Sequence, residues 1–349
     1  MPHSKTFDIR FWKIFIPFLF VFILILFLPA MITNWYWFEL DFSDTGSIGD
    51  TIGGIMGPFI AIAAAILTFL AFWVQFIANE QQRRDIRLER FENRYYELLQ
   101  LHKSNVNEMN IANKLTGRKC FVQMFYELRF IYKQAEFLRN NTDERIAQEN
   151  DYENIDLMNL SYRIFFFGIG QNSEKQFTHS FSNGEKHLFG RIKKELVEIQ
   201  KDAESYFDKP SEKGRIYTHK PSQRYKKLPE EIDFYYYPFD GHVNRLGHYY
   251  RHLFQTVKYI TSQEIINESE KYIYLKTLRA QLSNFEQLHL YYNALAWFDK
   301  EWKEIFTTFR FIKNLPLTLA DFHISPEEKF KTEIKNLKEK NISMFEWLE

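Results

Sequence analysis

Two uncharged runs near the N-terminus constrain this chain more than any other feature. Ile14 to Ile32 (IFIPFLFVFILILFLPAMI) holds 19 residues without a charge, and Thr51 to Asn79 holds 29. A helix of about 20 apolar residues crosses a hydrocarbon core of about 30 Å. A cleaved leader has a shorter apolar run followed by a small-x-small site, and this sequence offers neither. The pair reads as an N-terminal transmembrane hairpin over residues 1–79, its two helices at about 14–33 and 53–77 with a short external loop between them.

Charge fixes the expected orientation. Lys5, Arg10 and Lys13 precede the first span, and Arg83, Arg84, Arg87, Arg90 and Arg94 follow the second. The connecting loop carries Glu39, Asp41, Asp44 and Asp50 and no Lys or Arg. Basic residues stay on the cytoplasmic side, which places both termini there. Trp35, Tyr36 and Trp37 suit the outer interface and Trp73 the inner one. Within the second span, Gly53, Gly57, Ala61 and Ala65 recur every fourth residue. Such a row lets two helix backbones approach closely, either two copies of the chain or the two spans of one copy.

From Glu80 onward the sequence is polar and charged. Ile86, Phe91, Tyr95, Leu98, Leu99 and His102 fall at helical spacing, so residues 80–116 read as a helical stalk broken by Gly117. The remainder, 117–349, reads as a cytoplasmic α-helical domain. Cys120–Leu138 is a strong amphipathic helix, Gly184–Phe207 is another helix, and LMNLSYRIFFFGIG is a short helix stopped at Gly168 and Gly170. A long helix is expected near Gln263–Ala296, with shorter ones near Glu301–Asn314 and Pro326–Lys340. No alternating run long enough for a strand stands out, so the fold class is all-α: a membrane hairpin followed by a multi-helix domain.

Composition excludes several functions. Lys+Arg and Asp+Glu both number 45, so no global basic balance points to nucleic acid. Cys120 is the only cysteine, which rules out intrachain disulfides and cysteine-based zinc sites. Neither GxxxxGK[ST], GxSxG nor HExxH occurs, and no cofactor or metal is implied. One local basic segment, with Lys213, Arg215, Lys220, Arg224, Lys226 and Lys227, is a solvated loop or a contact for anionic lipid or nucleic acid.

The stretch GHVNRLGHYYRHLFQTVKYI (Gly241–Ile260) concentrates three of the ten histidines. Asn244 is the expected N-cap. As a helix it puts Leu246, Tyr249, Tyr250, Leu253, Phe254, Val257 and Ile260 on one side. Arg245, His248, His252, Gln255 and Tyr259 form the opposite stripe, with Arg251 at its edge. That stripe is a polar packing face, a metal pair at His248 and His252, or a nucleolytic site. The third option rests on Arg245 and His252, whose R-x6-H spacing resembles the signature of HEPN ribonucleases, with His248 and Arg251 assisting. There the imidazole would move protons while the guanidinium steadies phosphate charge. Leu246, directly after the arginine, departs from the polar residue usual at that place.

A wider resemblance spans Trp73 to Leu295. WVQFIANEQQ, RFENRYYELLQLHKSNV, GRKCFVQMFYEL, FFFGIG, HYYRHLFQTVKYI and YLKTLRAQLSNFEQLHLYYNAL occur in this order. Together they resemble the phage abortive infection (AbiC-like) family. The resemblance implies antiphage defence by a bacterial inner-membrane protein that halts or kills the infected cell, and it supplies no catalytic residues. The expected partners are the lipid bilayer, further copies of the chain, and a phage-derived trigger or a second defence protein.

Overall fold

The computed structural model describes residues 16, 19, 20, 22–24, 27, 45–208, 216–220 and 231–346. The chain divides into two compact units, Met1–Glu89 and Arg90–Glu349. A single helix, α1 (Thr45–Glu108), belongs to both. One described helix is long and apolar enough to cross a membrane, and none of its most apolar window is buried. Phe59, Ile62, Phe69, Phe72, Trp73 and Phe76 are all exposed along it. Most of the first apolar run, the loop residues Glu39, Asp41 and Asp44 and the Trp35–Trp37 cluster lie outside the described residues, whereas Asp50 is exposed on α1. The described members of that first run, among them Ile16, Phe20 and Phe27, are helical and exposed. The described residues thus hold one clear membrane-length helix, and a two-helix hairpin is not established.

The second unit is mostly helical, as its periodicity demands. After α1 come the strand pair β1 (Asn110–Ile111) and β2 (Leu115–Thr116), then α2 (Arg118–Asn140), α3 (Glu144–Glu149) and α4 (Leu157–Phe167). These are followed by α5 (Gln171–Phe177), α6 (Asn183–Phe207), and the strands β3 (Tyr217–His219) and β4 (Ile232–Phe234). The last part holds α7 (Val243–Thr261), α8 (Glu268–Arg279), α9 (Asn284–Asn293), a π-helical turn (Ala294–Phe298), α10 (Asp299–Thr308), α11 (Pro326–Lys329) and α12 (Lys331–Lys338).

Three expectations need correction. The stalk is helical only to Glu108; residues 110–116 form an antiparallel hairpin, Asn110 opposite Thr116 and Ile111 opposite Leu115. Ala112 and Asn113 turn it with positive φ, and the Asn110 side chain accepts from the Asn113 backbone N–H at 2.8 Å. With β3 and β4 also antiparallel, the class is mainly α with two small strand pairs. Second, the single helix expected over 263–296 breaks before Ser283. Ser283 and Glu286 form a capping box that starts α9 afresh. Third, α7 begins two residues earlier than an Asn244 cap allows: His242 is the N-cap, its carbonyl accepting from Leu246 N–H at 2.8 Å.

The core lies around α2, which packs on α4, α6 and α9. Cys120, Phe121, Met124, Phe125, Leu128 and Ile131 on one face of α2 are fully buried. Aromatic side chains fill the space between helices; Tyr292 and Phe322, for instance, stack at 4.0 Å and 9°. Each such ring removes a large apolar area from water, which explains why a sequence so rich in Phe and Tyr folds into a dense helical unit.

Candidate functional site

The two sides of α7 separate as its periodicity demands. Leu246, Tyr249, Tyr250, Leu253, Val257 and Ile260 are buried, joined by Thr256, whereas Phe254 is only half-buried. The polar stripe, however, splits in two. His248, Arg251 and Gln255 are exposed, while Arg245, His252 and Tyr259, seven residues apart in turn, are half-buried. These three face the 91–110 segment. Arg245 Nε donates to Asn110 O at 2.9 Å, His252 lies against His102, and Tyr259 stacks on Phe91 with ring centres 5.5 Å apart. The stripe is therefore a seam along one edge and a solvent face along the other.

Arg245 is spent on backbone. Its Nη1 also donates to Gly241 O at 3.3 Å and lies 3.5 Å from His242 Nδ1. Arg251 folds back to donate to Gly247 O at 3.0 Å. His248 points outward and His252 inward, so the two do not converge on one ion. Among the described residues no group of three His, Cys, Asp or Glu could hold a metal.

Behind the seam lies a buried carboxylate that spacing alone does not announce as functional. Glu127, on α2, is fully buried. It accepts from the Tyr236 hydroxyl, from Phe239 N–H at 3.0 Å, and lies 3.2 Å from His242 Nε2. Burial and the neighbouring carboxylate push the Tyr236 hydroxyl well above its usual range, so it donates and does not ionise. The signal was present in the sequence: Glu127 falls on the apolar arc of an amphipathic helix, where a charge needs partners.

A second polar group joins α1, α7 and α9. The rings of His102 and His252 stack at 6.2 Å and 22°. His102 Nε2 is 3.8 Å from Glu286 Oε1. Glu286 in turn accepts from Tyr249 Oη at 3.1 Å and from Ser283 N–H at 2.8 Å, and Arg118 Nε lies 3.5 Å away. Burial, then the charges of His252 and Arg118, holds His102 down at about 4. His252 is lowered too, by burial and by Arg94. Burial raises the Glu286 carboxyl. The His102–Glu286 contact is thus a neutral imidazole beside a carboxyl, not an ion pair. None of the four ring nitrogens of His102 and His252 has a hydrogen-bond partner among the described residues. A third buried histidine, His289, sits 3.0 Å from Phe121 O through Nε2 and is held at about 3 by burial.

The remaining expected residues lie apart from this seam. Gly53, Gly57, Ala61 and Ala65 are all exposed on α1, and no described atom lies within 4 Å of a side chain added at either glycine. Of the basic segment only Lys220 is described; it is exposed and 3.8 Å from Glu231. Lys213, Arg215, Arg224, Lys226 and Lys227 lie outside the described residues. A groove of about 290 Å³ runs between α2 and β4, lined by Gln123, Tyr126, Arg129, Lys133, Asp233 and Tyr235 among others, none of them an expected site residue.

Comparison with known proteins adds one match. No curated protein and no solved structure is similar to the chain. Residues 241–319 match the family model described as putative phage abortive infection protein. The matched region begins at Gly241, takes in all of α7, the seam residues Arg245 and His252, and Glu286 and His289. Over this region the chain is similar to the phage abortive infection protein family.

Proposed function

We propose that the protein is a membrane-anchored effector of antiphage abortive infection. Its helical unit receives an infection signal, from a phage component or a second defence protein, and its apolar spans cluster and perturb the bacterial inner membrane. The observation that carries this reading is the uncovered apolar stretch of α1 in a chain that also holds the family region. A helix exposing this much aromatic and aliphatic surface has no stable home in water. The exposed Gly53–Gly57–Ala61–Ala65 row supports self-association, because small residues let helices meet backbone to backbone.

The test follows membrane potential and survival in infected cells that express the protein. The wild type is expected to depolarise the cell before lysis, and Gly57→Leu to keep the potential and lose protection. Growth arrest with an intact potential in the wild type sinks the reading.

A second reading, RNA cleavage at Arg245 and His252 assisted by His248 and Arg251, is favoured by one feature. His252 is a neutral imidazole with both nitrogens unpaired, the state a general base requires. His252→Ala would then abolish protection at unchanged protein level, with RNA cut only by the wild type. Protection that survives His252→Ala removes this reading, so the two variants belong in one experiment.

A further inference from the structure

We propose that Arg83, Arg84 and Arg87 form a docking site for the phosphates of anionic phospholipids, an inference that rests on the membrane reading above. All three lie on α1 just beyond the uncharged run that ends at Asn79, and all three are exposed. No hydrogen bond or ion pair within the described residues engages any of them. An exposed guanidinium without an acidic partner is available to a ligand, and a cluster of three beside a long apolar stretch has an obvious one.

Helix geometry sorts the charges. At about 100° per residue, Arg83, Arg84 and Arg87 fall within an arc of about 100°. Asp85 and Glu89 fall on the opposite side, about 200° and 240° round from Arg83. The acidic residues therefore do not neutralise the arginine face. Glu80 is the exception: it lies within the arc, one turn nearer the apolar end, and makes no ion pair within the described residues.

The axial position fits headgroups. Ile77, the last large apolar residue of the stretch, is exposed. Arg83 is about 9 Å beyond it along the axis and Arg87 about 15 Å. The headgroup layer adds about 5–7 Å to each side of the hydrocarbon core. Side chains on a helix lean toward its N-terminus, which here is the bilayer side, so long arginines reach back into that layer. Arginine also matches phosphate geometry with two parallel N–H donors, which a lysine cannot do. Trp73, exposed one turn before Ile77, lies about 15 Å from Arg83 along the axis, on the bilayer side of the interface.

The test uses the full chain reconstituted into vesicles of phosphatidylcholine alone or mixed with phosphatidylglycerol. Flotation first reports insertion, and native mass spectrometry then reports which lipids leave the bilayer with the protein. Wild-type protein should float with both vesicles and retain phosphatidylglycerol over phosphatidylcholine by about fivefold or more. The triple variant R83Q/R84Q/R87Q should float equally well and lose the enrichment, and R83K/R84K/R87K should keep part of it. Flotation without enrichment in the wild type, or equal enrichment in the glutamine variant, overturns the lipid site and leaves the membrane reading standing. Failure to float with either vesicle overturns both.

Discussion

Gly168 and Gly241 meet backbone to backbone, locking the end of α4 to the approach of α7. A side-chain carbon on Gly168 would fall 2.6 Å from Asp240 O, and one on Gly241 would fall 2.5 Å from the Phe167 carbonyl carbon. Both residues have positive φ, 83° and 87°. Two cross-strand-like bonds flank them, Ile169 N–H to Phe239 O at 3.1 Å and His242 N–H to Phe166 O at 2.8 Å. FFFGIG and GHVNRLGHYY are thus two halves of one joint. Gly241→Ala must move backbone and adopt a left-handed conformation, at a cost of about 3 kcal/mol. In a unit of this size that lowers Tm by about 6–12 °C. Thermal unfolding of the full chain, followed by circular dichroism, checks this; an unchanged Tm would show that the joint yields.

Glu127 supports the same joint from beneath. It binds Tyr236, the Phe239 N–H and His242 with one carboxylate, so its loss strands three buried donors. Glu127→Ala is expected to destabilise by about 3–5 kcal/mol, as removal of one partner from a buried charged network does. Glu127→Gln keeps the shape and one acceptor oxygen and should cost less than half of that. Chemical denaturation of the two variants side by side gives the ratio, and equal costs would mean that charge, not acceptor count, holds the network.

Much of this was legible in the sequence, for identifiable reasons. The faces of α2, α6 and α7 follow from apolar residues at helical spacing, and Gly168 ends α4 where the pattern stops. The break inside the expected 263–296 helix was also written there: S-N-F-E at Ser283–Glu286 is a capping box, masked by the apolar spacing that continues on either side. The 110–116 hairpin is too short for alternation to show, and its turn rests on two non-glycine residues with positive φ. The start of α7 was set by a tertiary bond, His242 N–H to Phe166 O, that no local rule reaches. Which histidines would meet was the least legible part. His102 belongs to the apolar spacing of α1 and His252 to the polar stripe of α7, and only the packing of those two helices brings them face to face.

Arg245 distinguishes a clamp from a catalyst. Its bonds to Asn110 O and Gly241 O tie the β1 hairpin to the start of α7. Arg245→Ala should therefore cost about 1–2 kcal/mol. Tm should fall by about 2–8 °C. Arg245→Lys, with a single donor head, should recover part of that loss. A residue acting only on RNA would leave Tm untouched while protection disappears. Measuring Tm and protein abundance alongside phage protection separates the two roles.

The His102–His252 pair gives the unit an acid sensitivity with a defined sign. Burial holds His102 at about 4, below the usual 6.5, so the unfolded chain takes up the proton first. His252, lowered by burial and Arg94, acts in the same direction. Around His102 stand His252, Glu286, Arg118 and Tyr249; of these only the Glu286 carboxylate would favour a protonated ring, and burial raises that carboxyl. Stability should thus be level above about pH 6.5 and fall as pH drops from there toward 4. The His102 share of that fall is on the order of 3 kcal/mol. His102→Leu fills a similar volume and removes two unpaired buried nitrogens. It should leave stability at pH 7.5 unchanged or raise it by about 1 kcal/mol, and remove about one proton from the pH slope below 6.5. The measurement is the denaturation midpoint of wild type and variant at half-unit steps from pH 7.5 to 4.5. Parallel curves would show that His102 carries a proton in the folded chain, and that the seam between α1 and α7 is held by charge after all.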